Sequence, residues 1–138
     1  MSQTSTIYLP LNTYVSVKCF ANAAFIQKVT ITEENGTVHT AQGSGEHDTP
    51  LTDGTFGIQT PATSSSPAGY RITVAVQNQQ GGTWVDSAVM SGGCNVMYYN
   101  LKMVVSEDYI DDDWNDAVAI FTWWQPPTSR NVVEANGK

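Results

Sequence analysis

The chain has 138 residues, enough for one domain with a real core, and its 13 acidic against 6 basic side chains give a net charge of −7. That balance argues against nucleic acid and anionic membrane as partners. No apolar run approaches the ~20 residues a membrane-crossing helix needs, so no membrane insertion is expected.

The first six residues are polar and lack the basic segment and hydrophobic stretch of a secretory signal peptide. This predicts cytoplasmic synthesis, with release or cell-surface association by another route. Short alternating segments separated by turn residues follow. Residues 13–20 place Val15, Val17 and Cys19 on one face, with Tyr14 and Phe20 on the other. Residues 27–32 and 37–41 flank Glu33-Glu34-Asn35-Gly36, where Asn-Gly is a strong hairpin signal. The low-complexity stretch 61–69 reads as a surface connection, because strand patterning resumes beyond it. In residues 70–77 Ile72, Val74 and Val76 alternate with Arg71, Thr73 and Gln77. Gln80-Gly81-Gly82 and Gly92-Gly93 read as turns. Residues 95–105 and 117–124 read as the longest and most buried strands. With no sustained 3.6-residue period, the expectation is an all-β fold: an antiparallel β-sandwich of about nine short strands, Greek-key or jelly-roll-like. Pro126-Pro127 stops the last strand, which gives a domain over 1–126 and a polar tail over 127–138. Cys19 reads as a small buried hydrophobe, and a Cys19–Cys94 disulfide is the alternative.

Six carboxylates fall within ten residues, at Glu107, Asp108, Asp111, Asp112, Asp113 and Asp116, with no Lys or Arg among them. Two carboxylates held ~6 Å apart at an effective dielectric near 20 repel by about 3 kcal/mol. Such a run either splays into water, as most charge runs do, or is neutralised by an outside cation. This one leads directly into Ala117-Val118-Ala119-Ile120-Phe121-Thr122-Trp123-Trp124, a strand pattern, so it is anchored to the core. Carboxylates plus the Asn115 amide form an oxygen-only donor set that suits a hard cation, and calcium tolerates crowded sets better than magnesium. An EF-hand is rejected. Asp111, Asp113 and Asn115 suit its first ligand positions, but Asp116 stands where the turn Gly belongs and Thr122 where the bidentate Glu belongs. Catalysis by a carboxylate pair is also disfavoured, since a general acid needs one carboxyl in an apolar setting. His39 and His47 are remote from the acids in sequence and read as structural or exposed.

Ser106-Glu107-Asp108 leading to Asp111-Asp112-Asp113-Trp114-Asn115-Asp116-Ala117-Val118 resembles the calcium loop of the two-calcium, fucose- and mannose-binding lectins of Gram-negative bacteria. Phe20-Ala21-Asn22 is similar to that family's calcium-binding Asn, and residues 7–13 to its first strand and turn. The likeness runs over residues 6–125. It implies a calcium-dependent lectin domain holding two calcium ions. Glu107, Asp111, Asp113 and Asp116 would hold one ion, and Asn22, Asp113, Asn115 and Asp116 the other, with Asp113 and Asp116 bridging. Asp108 would accept a hydrogen bond from the sugar. Asn22, Ala23, Ala24, Glu107, Asp108, Asp111, Asp113 and Asp116 together would form the sugar site. The implied ligands are mannose- or fucose-containing glycans, and the implied assembly is a homodimer or higher homo-oligomer. Ala at the first position of Ala23-Ala24-Phe25 goes with mannose in the family, whereas Ser there goes with fucose. Phe25 departs from the small residue usual at the third position. It is read as an apolar wall beside the sugar, as a change in the loop's course, or as packing on Ile110 or a partner subunit. The family's chain ends near the position of Pro126 and lends its terminal carboxylate to a neighbour's calcium. Here the chain continues for twelve residues to Lys138, so no free carboxylate stands there. The other reading of the same ligands is a calcium-stabilised structural or adhesion module without sugar binding.

Overall fold

A computed structural model describes residues 3–108 and 114–125. Among them lie eight strands and no helix: β1 (Thr4–Leu9), β2 (Tyr14–Glu33), β3 (Val38–Gln59), β4 (Tyr70–Gln80), β5 (Thr83–Asp86), β6 (Ala88–Val96), β7 (Tyr99–Glu107) and β8 (Ala117–Trp124). Every pairing is antiparallel, in the order β1-β4-β2-β8-β7-β6, with β3 on β2 and β5 on β4. The all-β antiparallel fold thus stands as expected, although several predicted short segments are fused. The 13–20 and 27–32 segments are two halves of the 20-residue β2. β3 runs 22 residues, through Gly- and Asp-containing sequence that carries no clean alternation.

This fusion builds the sandwich. The first half of β2 pairs with β8 through Ser16↔Thr122 to Ala21↔Ala117. Its second half pairs with β4 through Gln27↔Asn78 to Glu33↔Ile72. β3 follows it along the other edge, and the register breaks between Ala21 and Gln27. Bulges bend strands, and the two strands here pass from one layer to the other. β3 folds back so far that His39 and Phe56, near its two ends, stack with ring centroids 4.2 Å apart. Between the layers lies one core, with Val15, Val17, Val104, Phe121 and Trp123 from one side and Val29, Ile31, Ile72, Val74 and Val76 from the other.

The outward partners are as expected, Tyr14 exposed and Phe20 half-buried. The Glu33–Gly36 hairpin also forms, with Gly36 at φ +93° and its N–H donating to the Glu33 carbonyl at 2.9 Å. The 61–69 connection is tied down by Glu34, whose carboxylate accepts the N–H groups of Ser65 and Arg71 and the Ser64 hydroxyl. Those donors hold its carboxyl down to about 2.

Two expectations fail in the third quarter of the chain. Gly92-Gly93 is no turn but the middle of β6. A Cβ on Gly93 would lie 2.6 Å from the Leu101 carbonyl oxygen, so glycine serves close strand approach. The run 95–105 is likewise not one buried strand. Met97, at φ +53°, turns the chain between β6 and β7, and Val96 and Tyr99 are exposed. Cys19 is buried, its thiol pushed up to about 12 by desolvation, whereas Cys94 is exposed. Both are free, so the disulfide alternative is not formed.

Candidate metal and ligand site

β7 ends in Ser106-Glu107 and β8 begins at Ala117, so the acidic segment joins two neighbouring core strands at one end of the sandwich. Ser106 closes its base. The buried hydroxyl donates to the Ala117 carbonyl at 2.8 Å and accepts the Ala117 N–H at 2.9 Å. Asp116 N–H donates to the Ser106 carbonyl at 3.2 Å. A hydroxyl that satisfies both backbone groups of its neighbour lets the strand ends be buried without orphaned polar atoms.

This clasp draws Glu107, Asp108 and Asp116 inward, at 2%, 6% and 3% exposure. One carboxylate oxygen from each lies within 4.8 Å of the others. The Asp116 carboxylate accepts the Asp108 N–H at 2.7 Å, and Glu107 accepts the Trp114 N–H at 3.2 Å. Trp114 adopts the left-handed φ of +55°, which turns the chain back toward β8. Burial, followed by the nearby Asp108 and Glu107 charges, pushes the Asp116 carboxyl up to about 8 despite the opposing pull of the Asp108 N–H. A cluster that cannot ionise comfortably by itself, built only of oxygen donors, fits a hard divalent cation. Asp111, Asp112 and Asp113 lie outside the described residues, as do Tyr109 and Ile110.

Asn22 reaches this cluster from β2, 93 positions earlier than Asn115. Its N–H donates to the Asp116 carbonyl at 2.9 Å, and its side-chain amide donates to the Asn115 carbonyl at 3.3 Å. Of the residues assigned to metal or sugar, Asn22, Glu107, Asp108, Asn115 and Asp116 therefore converge. Ala23 follows buried, and Ala24 exposed. Phe25 is half-buried, its carbonyl accepting the Gln27 side-chain amide at 3.1 Å.

One neighbour escaped the sequence reading. Asp48 of β3 accepts the Asn22 amide at 2.9 Å and returns its own N–H to Asn22 Oδ1 at 2.7 Å. The acid at Asp48 was visible, but pairing it with Asn22 required the β2–β3 register. His47 rides on the same turn, exposed, whereas His39 binds Glu33 at 2.6 Å. Two shallow grooves carry apolar side chains. Met90, Cys94, Leu101, Met103 and Val105 line one, and Tyr14, Tyr99 and Trp124 line a second of about 600 Å³.

Comparison with known proteins agrees with this fold. The family described as fucose-binding lectin II (PA-IIL) matches residues 7–125. No curated protein matches the chain. A Ralstonia solanacearum high-affinity mannose-binding lectin is similar in structure at TM-score 0.65 and 29% identity, covering 88% of this chain and 96% of that one. The Chromobacterium violaceum lectin CV2L, solved with alpha-methyl-fucoside, matches at TM-score 0.67 and 28% identity, over 91% of this chain and 100% of that one. The C-terminal domain of the BC2L-C lectin from Burkholderia cenocepacia shares the fold at TM-score 0.68 and 24% identity, over 91% and 100% of the two chains.

Proposed function

The chain belongs to the fucose-binding lectin II family, and on that premise we propose that it is a calcium-dependent lectin that binds monosaccharide termini, mannose in preference to fucose. One observation carries the reading. The buried triad Glu107, Asp108 and Asp116 lies beside Asn22, whose N–H donates to the Asp116 carbonyl, and this oxygen-only group suits a hard cation. Two calcium ions there would supply open coordination positions for vicinal sugar hydroxyls. Glu107 and Asp116, with Asn22 and Asn115, would hold them, together with Asp111 and Asp113 from outside the described residues. Asp108 then accepts a hydrogen bond from the sugar. Energy concentrated in ion–oxygen contacts makes a single sugar a sufficient ligand. The two solved relatives near 30% identity, one named for mannose and one holding a fucoside, support the ligand class. Ala23 supports mannose, because it lacks the hydroxyl that accompanies fucose preference in the family.

The exposed Tyr14, Met90, Tyr99 and Trp124 would give self-association the aromatic and Met surface that interfaces favour. Several copies would multiply weak glycan contacts. Retention on mannose–agarose in millimolar calcium, released by a chelator, tests the reading. Calcium-dependent melting without retention on any sugar would point instead to a structural module.

A further inference from the structure

β2 and β3 pair at Ala21↔Thr49 and at Ala23↔Gly45. Between those points Asn22 stands alone opposite Glu46, His47 and Asp48. The excess residues of β3 bulge outward there as a turn. His47 and Asp48 both take left-handed backbone, at φ +62° and +57°, and Thr49 Oγ1 donates back to the Glu46 carbonyl at 2.7 Å. Gly45 is needed at the base, where a Cβ would fall 2.5 Å from Thr49 Oγ1. Asn22 links the turn to the acid loop. Asp48 makes two hydrogen bonds with the Asn22 side chain, which in turn donates to the Asn115 carbonyl, and the Asn22 N–H donates to the Asp116 carbonyl.

We propose that Asp48 is a positioning and specificity-determining residue of the sugar site. It fixes the Asn22 amide and holds the Glu46–Asp48 turn as the wall facing the acid loop. The proposal rests on the lectin reading above. The Asn22 side chain bridges the two segments, bonded to Asp48 on one side and to the Asn115 carbonyl on the other, so its orientation depends on both ends. With the Asp48 carboxylate gone, Asn22 keeps the Asp48 N–H but loses the acceptor that fixes its amide plane. The wall then relaxes away from the ligand. An exposed acid on this wall also disfavours anionic saccharides and leaves neutral sugars as the ligand class.

The test compares the wild type with Asp48→Gly and Asp48→Asn. Glycine accepts the left-handed backbone without strain, and Asn restores an acceptor of the same shape. Calcium uptake and the affinities of methyl α-mannoside and methyl α-fucoside are measured by calorimetry. The Asn22 side-chain amide resonances are followed by NMR in metal-stripped protein. The expected result for Asp48→Gly is calcium and sugar affinity each down about ten-fold, as for outer partners of ligating groups, and a changed mannoside-to-fucoside ratio. Its Asn22 amide resonances shift as well. Asp48→Asn recovers both affinities. If the wild type binds calcium and sugar while Asp48→Gly matches it in affinity, ratio and amide resonances, this inference is overturned alone. A wild type that takes up no calcium overturns the lectin reading, and this inference with it.

Discussion

Replacing Asp116 by Asn should change stability in opposite directions with and without metal. The Asp116 carboxyl is pushed up to about 8 from an ordinary 3.8, first by burial and then by its acidic neighbours. A carboxyl whose folded value is raised imposes no penalty below its unfolded value, where both states are protonated. As pH rises from about 4 toward 8, the unfolded chain ionises and the folded chain resists, so stability falls. Each pH unit in that window is worth about 1.4 kcal/mol, which sets a ceiling of about 5 kcal/mol at pH 7.5. Relaxation and water entry reduce this to a few kcal/mol. Asn keeps an oxygen for the Asp108 N–H and never ionises. Metal-stripped Asp116→Asn should therefore melt above stripped wild type at pH 7.5, at roughly 3–5 °C per kcal/mol, and the gap should close near pH 4. In millimolar calcium the order reverses, because the wild type gains binding energy that the variant lacks. Two ions, each at a hundred times its dissociation constant, would together contribute about 5 kcal/mol, more than the few kcal/mol of metal-free penalty. Scanning calorimetry on resin-stripped and calcium-loaded protein at both pH values reads all four conditions. The reasoning is refuted if stripped Asp116→Asn melts below stripped wild type at pH 7.5.

Ala23→Ser should raise the fucoside-to-mannoside affinity ratio, measured by competition; an unchanged ratio would mean that Phe25 has reshaped the wall. Glu33→Gln, which disturbs a buried carboxylate bound to the Tyr70 hydroxyl at 2.9 Å and to His39, should cost about 1–3 kcal/mol in urea unfolding without altering sugar binding. Gly69→Ala should destabilise by a similar amount, because its φ is +124° and the new Cβ would meet the Leu9 carbonyl oxygen at 2.5 Å. A neutral result there would mean that the 61–69 connection moves aside freely.

The acid run and the alternating segments were legible because their signals are local. Six carboxylates beside an apolar strand, and Ile72-x-Val74-x-Val76, need no partner to be read. The Glu33–Gly36 hairpin was legible for the same reason, since Asn-Gly fixes its own turn. What stayed hidden depends on register. β3 beyond Ala41 lacks alternation, because a strand that bends through two layers changes which residues face inward. Gly92-Gly93 looks like a turn in isolation and is a strand only because β7 lies close against it. Asn22 was reached by resemblance, whereas Asp48 gave no sign of itself until β2 and β3 were aligned.

Because β2 and β3 each cross from layer to layer, the two layers of the one eight-stranded sheet are threaded by the same two lengths of chain beside the acidic corner. They cannot peel apart like pages with a separate spine. Loading that corner should slow amide exchange in both layers together, so a lectin of this build reports occupancy at one tip throughout its body.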